Sequence, residues 1–366
     1  PVRRYRFSPE QPLHFGPAGS LPLLAPASRH FFVGVARWQP SPLVQAGATV
    51  TSALPLGPDC TAAEAELEDP PPRCEVVTGN AAALDLALRD ARADWYLRGQ
   101  LSGSLVLGPD PERTLPDGTV LRRGDLGAGG FVAAGKGGGE PWRFDLEYEY
   151  ESPTLELNAL GYQRTQNEQT VRGALHYVRL SEVGPFHGLG LHLRPEARWT
   201  TDGRGLMRGA ALVFASEFQL RSFHWFGLNA GVEPRAWDVR EVEETGVAQR
   251  RFAGAWAEAW TSTDRSHPLW VEGGVAGGVA LGAGPVPTMR GWGVGATVSL
   301  RPHDRAEARL EVRYEDGRYP ARFVEEQPGG SYLFGDLHAP SLSVTLRLQL
   351  VMARRLTLQA DRKSVV

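Results

Sequence analysis

Between Arg305 and Glu315 the chain reads R-A-E-A-R-L-E-V-R-Y-E, an unbroken alternation of charged and apolar residues. Successive side chains of a β-strand point to opposite faces. The segment therefore puts Ala306, Ala308, Leu310, Val312 and Tyr314 on one face and only charges on the other. Trp142, Phe144, Leu146, Tyr148 and Tyr150 alternate in the same way with Arg143, Asp145, Glu147, Glu149 and Glu151. So do Leu342, Val344, Leu346, Leu348 and Leu350 with Ser341, Ser343, Thr345, Arg347 and Gln349. Long two-faced strands of this kind are how a transmembrane β-barrel is written, one face for lipid and one for a lumen.

The totals leave that reading open and close others. A net charge of −3 gives no footprint of a nucleic-acid binder. No apolar run approaches the roughly 18 residues that a spanning helix needs. Barrel strands hide their hydrophobicity at every second position, so a mean hydropathy of −0.28 does not argue against a membrane. No confident amphipathic helix is present. Thr61–Glu68 comes nearest, but it is short and runs into Pro70–Pro72.

Strands are expected near 28–38, 43–54, 79–89, 94–107, 125–136, 142–152, 167–181 and 188–200. They continue near 205–220, 224–239, 249–262, 268–283, 288–301, 304–316, 336–350 and 354–360. That makes about 16 strands, most of them near or above the roughly 9–11 residues that cross a bilayer at a tilt. Short links, such as Asp90–Ala93 and Arg221–Phe223, take turns with longer ones, such as Leu56–Thr78, Gly108–Arg123, Pro153–Gln166 and Gly317–Gly335. Outer-membrane barrels sort their connections this way, with tight periplasmic turns and larger outer loops, whereas a secreted sandwich has no reason to. Trp38, Trp95, Trp142, Trp225, Trp260 and Trp270 lie near the short turns and suit an interfacial aromatic girdle. The fold class expected is thus all-β, an antiparallel up-and-down transmembrane β-barrel.

The segment Ser152–Gln166, S-P-T-L-E-L-N-A-L-G-Y-Q-R-T-Q, resembles the S-P-x-x-E-x-N-x-x-G-[FY]-x-R stretch of an uncharacterised barrel family of Gram-negative outer membranes, domain of unknown function 5916. The match falls on Ser152, Pro153, Glu156, Asn158, Gly161, Tyr162 and Arg164. A second likeness lies in Tyr332–Leu348, Y-L-F-G-D-L-H-A-P-S-L-S-V-T-L-R-L, and a third in Leu356–Gln359. The resemblance implies localisation in the cell outer membrane, outer-membrane lipid as a partner, and a barrel that follows a domain resembling the family-9 carbohydrate-binding module. It implies no substrate.

Chain ends carry two further expectations. Pro1 is not preceded by a secretory leader, so an N-terminal part is expected to be missing. Asp361–Val366 is what the DNA string GAT CGG AAG AGC GTC GTG encodes, and that string resembles the start of a short-read sequencing adapter. Residues 1–360 then read as a barrel domain cut at both ends, and 361–366 as an assembly artefact.

Candidate sites are few. Cys60 and Cys74, the only cysteines, share the Leu56–Thr78 loop. A disulfide there would contribute about 3 kcal/mol by loop closure; two free thiols are the alternative, and no histidine stands by to complete a metal site. Glu156, Asn158, Gln163 and Arg164 offer a carboxylate, two amides and a guanidinium in close succession, with Tyr162 as a stacking face, a mix suited to a saccharide ligand. The bland reading is that this segment packs into the barrel mouth and satisfies its own polar groups. The acidic stripe Asp145, Glu147, Glu149 and Glu151 either biases a pore toward cations or pairs with arginines of neighbouring strands. No catalytic residue, metal ligand or cofactor is assigned, and no nucleic-acid partner is expected: G-x-S-x-G, H-E-x-x-H and a phosphate loop leading into a helix are all missing from the sequence. The function expected is a non-enzymatic channel or surface-binding barrel, glycan-related if the implied upstream domain binds glycans. The alternative is a barrel-embedded hydrolase acting on lipid or saccharide.

Overall fold

The structure, a computed structural model, describes residues 28–56, 79–107, 112–157, 163, 165–282, 288–353 and 356–365. Among them there is no helix. The chain forms β1 (Ser28–Ser41), β2 (Val44–Leu56), β3 (Gly79–Arg89), β4 (Trp95–Val106), β5 (Glu112–Thr114), β6 (Val120–Arg122), β7 (Leu126–Lys136) and β8 (Trp142–Glu151). Then come β9 (Glu168–Arg179), β10 (Phe186–Trp199), β11 (Met207–Leu220), β12 (Trp225–Glu233), β13 (Ala236–Asp238) and β14 (Gln249–Arg251). The last six are β15 (Gly254–Ser262), β16 (Leu269–Ala280), β17 (Met289–His303), β18 (Ala306–Gln327), β19 (Ser331–Ala353) and β20 (Leu356–Val365).

Sixteen of these strands form one antiparallel meander in which each pairs with the next. The exceptions are β5–β6 and β13–β14, small hairpins inserted in connections. Among the described residues β1 pairs only with β2 and β20 only with β19, so the sheet is open and no barrel closure is seen. In such a meander every second connection lies at the same end. Links 42–43, 90–94, 137–141, 180–185, 221–224, 263–268 and 304–305 share one end, while 107–125, 152–167, 200–206, 234–253, 281–288 and 328–330 share the other.

The two faces differ as the alternation requires. On β8 Leu146 is 60% exposed, while the Glu147 side chain beside it is only 20% exposed. Leu84, Leu101, Leu310 and Leu346 likewise lie on the exposed apolar face. The polar face is cross-linked by ion pairs. Glu147 stands directly opposite Arg172 and Arg172 opposite Glu196, so one guanidinium reaches Glu147 at 3.0 Å, Glu149 at 2.7 Å and Glu196 at 3.1 Å. Arg98 of β4 meets Glu147 from the other side at 3.1 Å. Neighbouring strands thus supply arginines to Glu147 and Glu149 of the acidic stripe, while Asp145 stands 3.8 Å from His176 and Glu151 accepts from Thr165.

The largest buried aliphatic side chains sit in the connections at the loop-bearing end. Leu115, Leu121, Leu155, Val239 and Val242 are buried there, beside the buried polar side chains of Asp117, Gln166, Asn167 and Thr200. These segments form a cap.

Three expectations need correction. The strand expected over 224–239 ends at Glu233, because Pro234 has no N–H for the ladder; β13 then pairs with β14 instead. The link expected over Gly317–Gly335 is mostly strand: β18 and β19 run 22 and 23 residues and turn only at 328–330. Register shifts between Tyr319 and Arg322 and between Phe323 and Glu325 break the alternation there, which is why the segment does not read as strand. Trp225, Trp260 and Trp270, expected in a girdle, lie on the polar face: Trp225 faces Gln219 and Ser262, Trp260 faces Gly227, and Trp270 is buried under Arg265 and Arg309. Trp38, Trp95 and Trp142 are exposed on the apolar face. The ladder of β20 extends through residues 361–365, but backbone pairing is blind to side chains and says nothing of where those codons came from.

Candidate functional site

The cap brings together the most densely bonded polar groups. Asp117 and Asn167 meet because the turn Asp117–Gly118 and the end of the 152–167 connection arrive at one point. Asn167 Nδ2 donates to Asp117 Oδ2 at 2.8 Å and to Asp202 Oδ2 at 2.9 Å, while its Oδ1 accepts from Thr201 N–H at 2.9 Å. Gln166 Nε2 donates to Asp117 Oδ1 at 3.0 Å, and its carbonyl accepts from Arg240 at 2.9 Å. Arg204 donates to Asp202 at 2.7 Å and to the Gly246 carbonyl at 2.8 Å. Gly118 holds a φ of +80°, and a Cβ there would fall 2.4 Å from Gly246 N, so only glycine permits this contact. Four connections are thereby tied into one body.

Asp202 is held well below the usual carboxylate range, at about 2. Partial burial opposes its ionisation, but bonds from Arg204 and Asn167 outweigh that cost.

The described start of the segment expected to bind ligand, residues 152–157, lies against the sheet. A Cβ at Gly127 would lie 2.3 Å from Leu155 Cα, so the missing side chain is what lets the segment lie against β7. Glu156 is buried, accepts from Arg113, and its N–H bonds Ser104 Oγ at 3.0 Å. Gln163 Oε1 accepts from Leu157 N–H at 2.8 Å. Asn158, Tyr162 and Arg164 lie outside the described residues, as do Cys60 and Cys74. Below the segment is a cavity of about 500 Å³ lined by Glu149, Glu151, Gln163, Thr165, Arg172 and Arg198. Its walls supply hydrogen-bonding groups of both signs.

One arrangement was not visible in the sequence. His176 and His192 stand opposite each other on β9 and β10, their Nδ1 atoms 2.6 Å apart, flanked by Asp145 at 3.8 Å and Glu217 at 3.6 Å. The two rings are sixteen residues apart in sequence, so only the strand register pairs them. Among the described residues neither ring bonds a hydroxyl or thiol, so the pair presents no activated nucleophile. Among the described residues no cluster of His, Cys, Asp and Glu could hold a metal ion.

A family model described as Domain of unknown function (DUF5916) matches residues 73–364. No curated protein and no solved structure matches the chain.

Proposed function

We propose that this chain, which belongs to the DUF5916 family, is an outer-membrane β-barrel that binds or passes polar solutes and performs no chemistry of its own. One observation carries the reading: the sheet exposes its apolar face and commits its charged face to itself. Each large apolar side chain left in water forgoes about 1.5–3 kcal/mol of burial. A face of such residues repeated across sixteen strands is untenable in water and suited to lipid. The polar face, laced by Arg172, Arg98, Arg198 and Arg208 with their carboxylates, is then the lumen wall. Short links face the periplasm and the cap faces outward. Because unpaired strand edges are not tolerated in hydrocarbon, β1 and β20 must find partners, in each other or in further strands. The non-enzymatic part rests on how the polar groups are spent: Glu147, Glu149, Glu168 and Glu196 on arginines, and the histidine pair on itself.

Recordings on the protein reconstituted in planar bilayers test this. Stepwise conductance assigns a pore, and a folded but silent barrel assigns solute binding. A monomer that is soluble without detergent, or turnover of lipid or saccharide by the folded protein, contradicts the reading.

A further inference from the structure

A cavity of about 1100 Å³ lies on the polar face of β15–β18, lined among others by Trp256, Glu258, Trp260, Arg313, Tyr319 and Arg322. Glycines open it. In the ladder Trp256 stands between Gly231 and Gly278, and Trp260 between Gly227 and Gly274. A Cβ on Gly231 or Gly227 would fall 2.6 Å from the indole Nε1 and Cε2 atoms, so each indole lies across the bare backbone of β12. On the other side Gly274 and Gly278 adjoin Gly295 and Gly291 of β17, leaving a floor without side chains beside the rings. Tyr319 closes the far flank by lying across Gly317, where a Cβ would meet its ring at 3.0 Å. Both indoles are half-buried and line the cavity, on a face where most large side chains are charged.

Polar groups rim these ring faces. Glu258 sits between the two tryptophans and accepts from Asn229 Nδ2 at 3.1 Å. Arg313 and Glu315 bond each other at 2.7 Å. Each of these groups retains donor or acceptor capacity toward the cavity. Eight carboxylates stand against six guanidiniums in the lining, so the cavity presents no strong field of one sign. An anionic chain, including a nucleic acid that could also stack, would meet more carboxylates than guanidiniums.

We propose that this cavity binds a neutral oligosaccharide. Sugar rings stack their C–H faces on Trp256 and Trp260, and their hydroxyls bond Glu258, Arg313 and Glu315. Four residues of strand separate the two indoles, about 13 Å, a length that a chain of several sugar rings spans and a single ring does not. The site rests on the reading of the polar face as a lumen, and it is distinct from the Glu156–Arg164 segment.

The test is calorimetric titration of the detergent-folded protein with maltohexaose, cellohexaose and chitohexaose, with heat-modifiable gel migration recorded for every sample. At least one sugar is expected to bind, about tenfold more weakly to the W256A/W260A variant and unchanged to W38A on the apolar face. Mapping of N-bromosuccinimide oxidation needs no variant: sugar should protect Trp256 and Trp260 but not Trp38. Folded protein that binds none of the three, a double variant that binds as tightly, or uniform oxidation overturns the proposal. Wild-type protein that is not heat-modifiable overturns the barrel reading instead.

Discussion

Arg172 shows what a single residue does in this wall. Its guanidinium, on β9, serves Glu147 and Glu149 of β8 and Glu196 of β10 at once. Replacing it by Met keeps the stem but takes the arginine from Glu149 and leaves Glu147 to Arg98 and Glu196 to Arg198. A fully buried pair broken this way costs about 3–5 kcal/mol; here the side chain is 39% exposed, so we expect about 1–2 kcal/mol, read as a lower denaturation midpoint in lipid vesicles. Asp202 sets a pH limit on the cap. With its carboxyl held at about 2, below the ordinary 3.8 of an aspartate, its contribution is complete above pH 3.8 and is lost as pH falls toward 2. Hydrogen exchange at the Thr201 amide should accordingly rise above its intrinsic trend over that window, and Asp202→Asn should remove the pH dependence. Constant protection in the native protein down to pH 2 would contradict it. The alternation showed which face Arg172 occupies. Its partners depend on register, which no local pattern encodes, and the same holds for the His176–His192 pair.

At the level of the element, the strands were largely legible because each has one apolar face to mark it. Ladder β3 (Gly79–Arg89) and β8 (Trp142–Glu151) fall where the period places them. The parts that were not legible have physical causes: Pro234 splits one strand, and two irregularities hide the outer halves of β18 and β19. At 22 and 23 residues these two strands run well past a membrane's thickness, given the roughly 9–11 residues a tilted strand needs. The same two-faced logic yields a paired prediction on β19. Leu346 is exposed on the apolar face and Thr345 is buried on the polar one. Leu346→Arg should cost about 2–4 kcal/mol of folding stability in lipid vesicles, as a charge placed near the hydrocarbon midplane does. Thr345→Arg, on the polar face, should cost less. Equal penalties would mean that the two faces meet the same surroundings.

Taken whole, the molecule keeps its largest buried aliphatic side chains in a cap at one end of the sheet. Leu115, Leu155 and Val239 build that core, and Asp117, Asn167 and Asp202 bolt it together. Little of this was readable in advance, since the connections are irregular and their contacts join residues far apart in sequence. Of the segment expected to bind ligand, the sequence pointed to Glu156, whose carboxylate accepts from Arg113 and whose N–H bonds Ser104, whereas the aromatic pair Trp256 and Trp260 emerges only once the strand parity is known. The central claim is that the exposed apolar face meets lipid. Spin labels placed singly from Leu342 to Leu350, in protein with Cys60 and Cys74 replaced by serine and reconstituted in vesicles, test it most directly. Collision with dissolved oxygen is expected at Leu342, Val344, Leu346, Leu348 and Leu350, and collision with a water-soluble nickel chelate only at the positions between. Nickel access at both sets alike would contradict it.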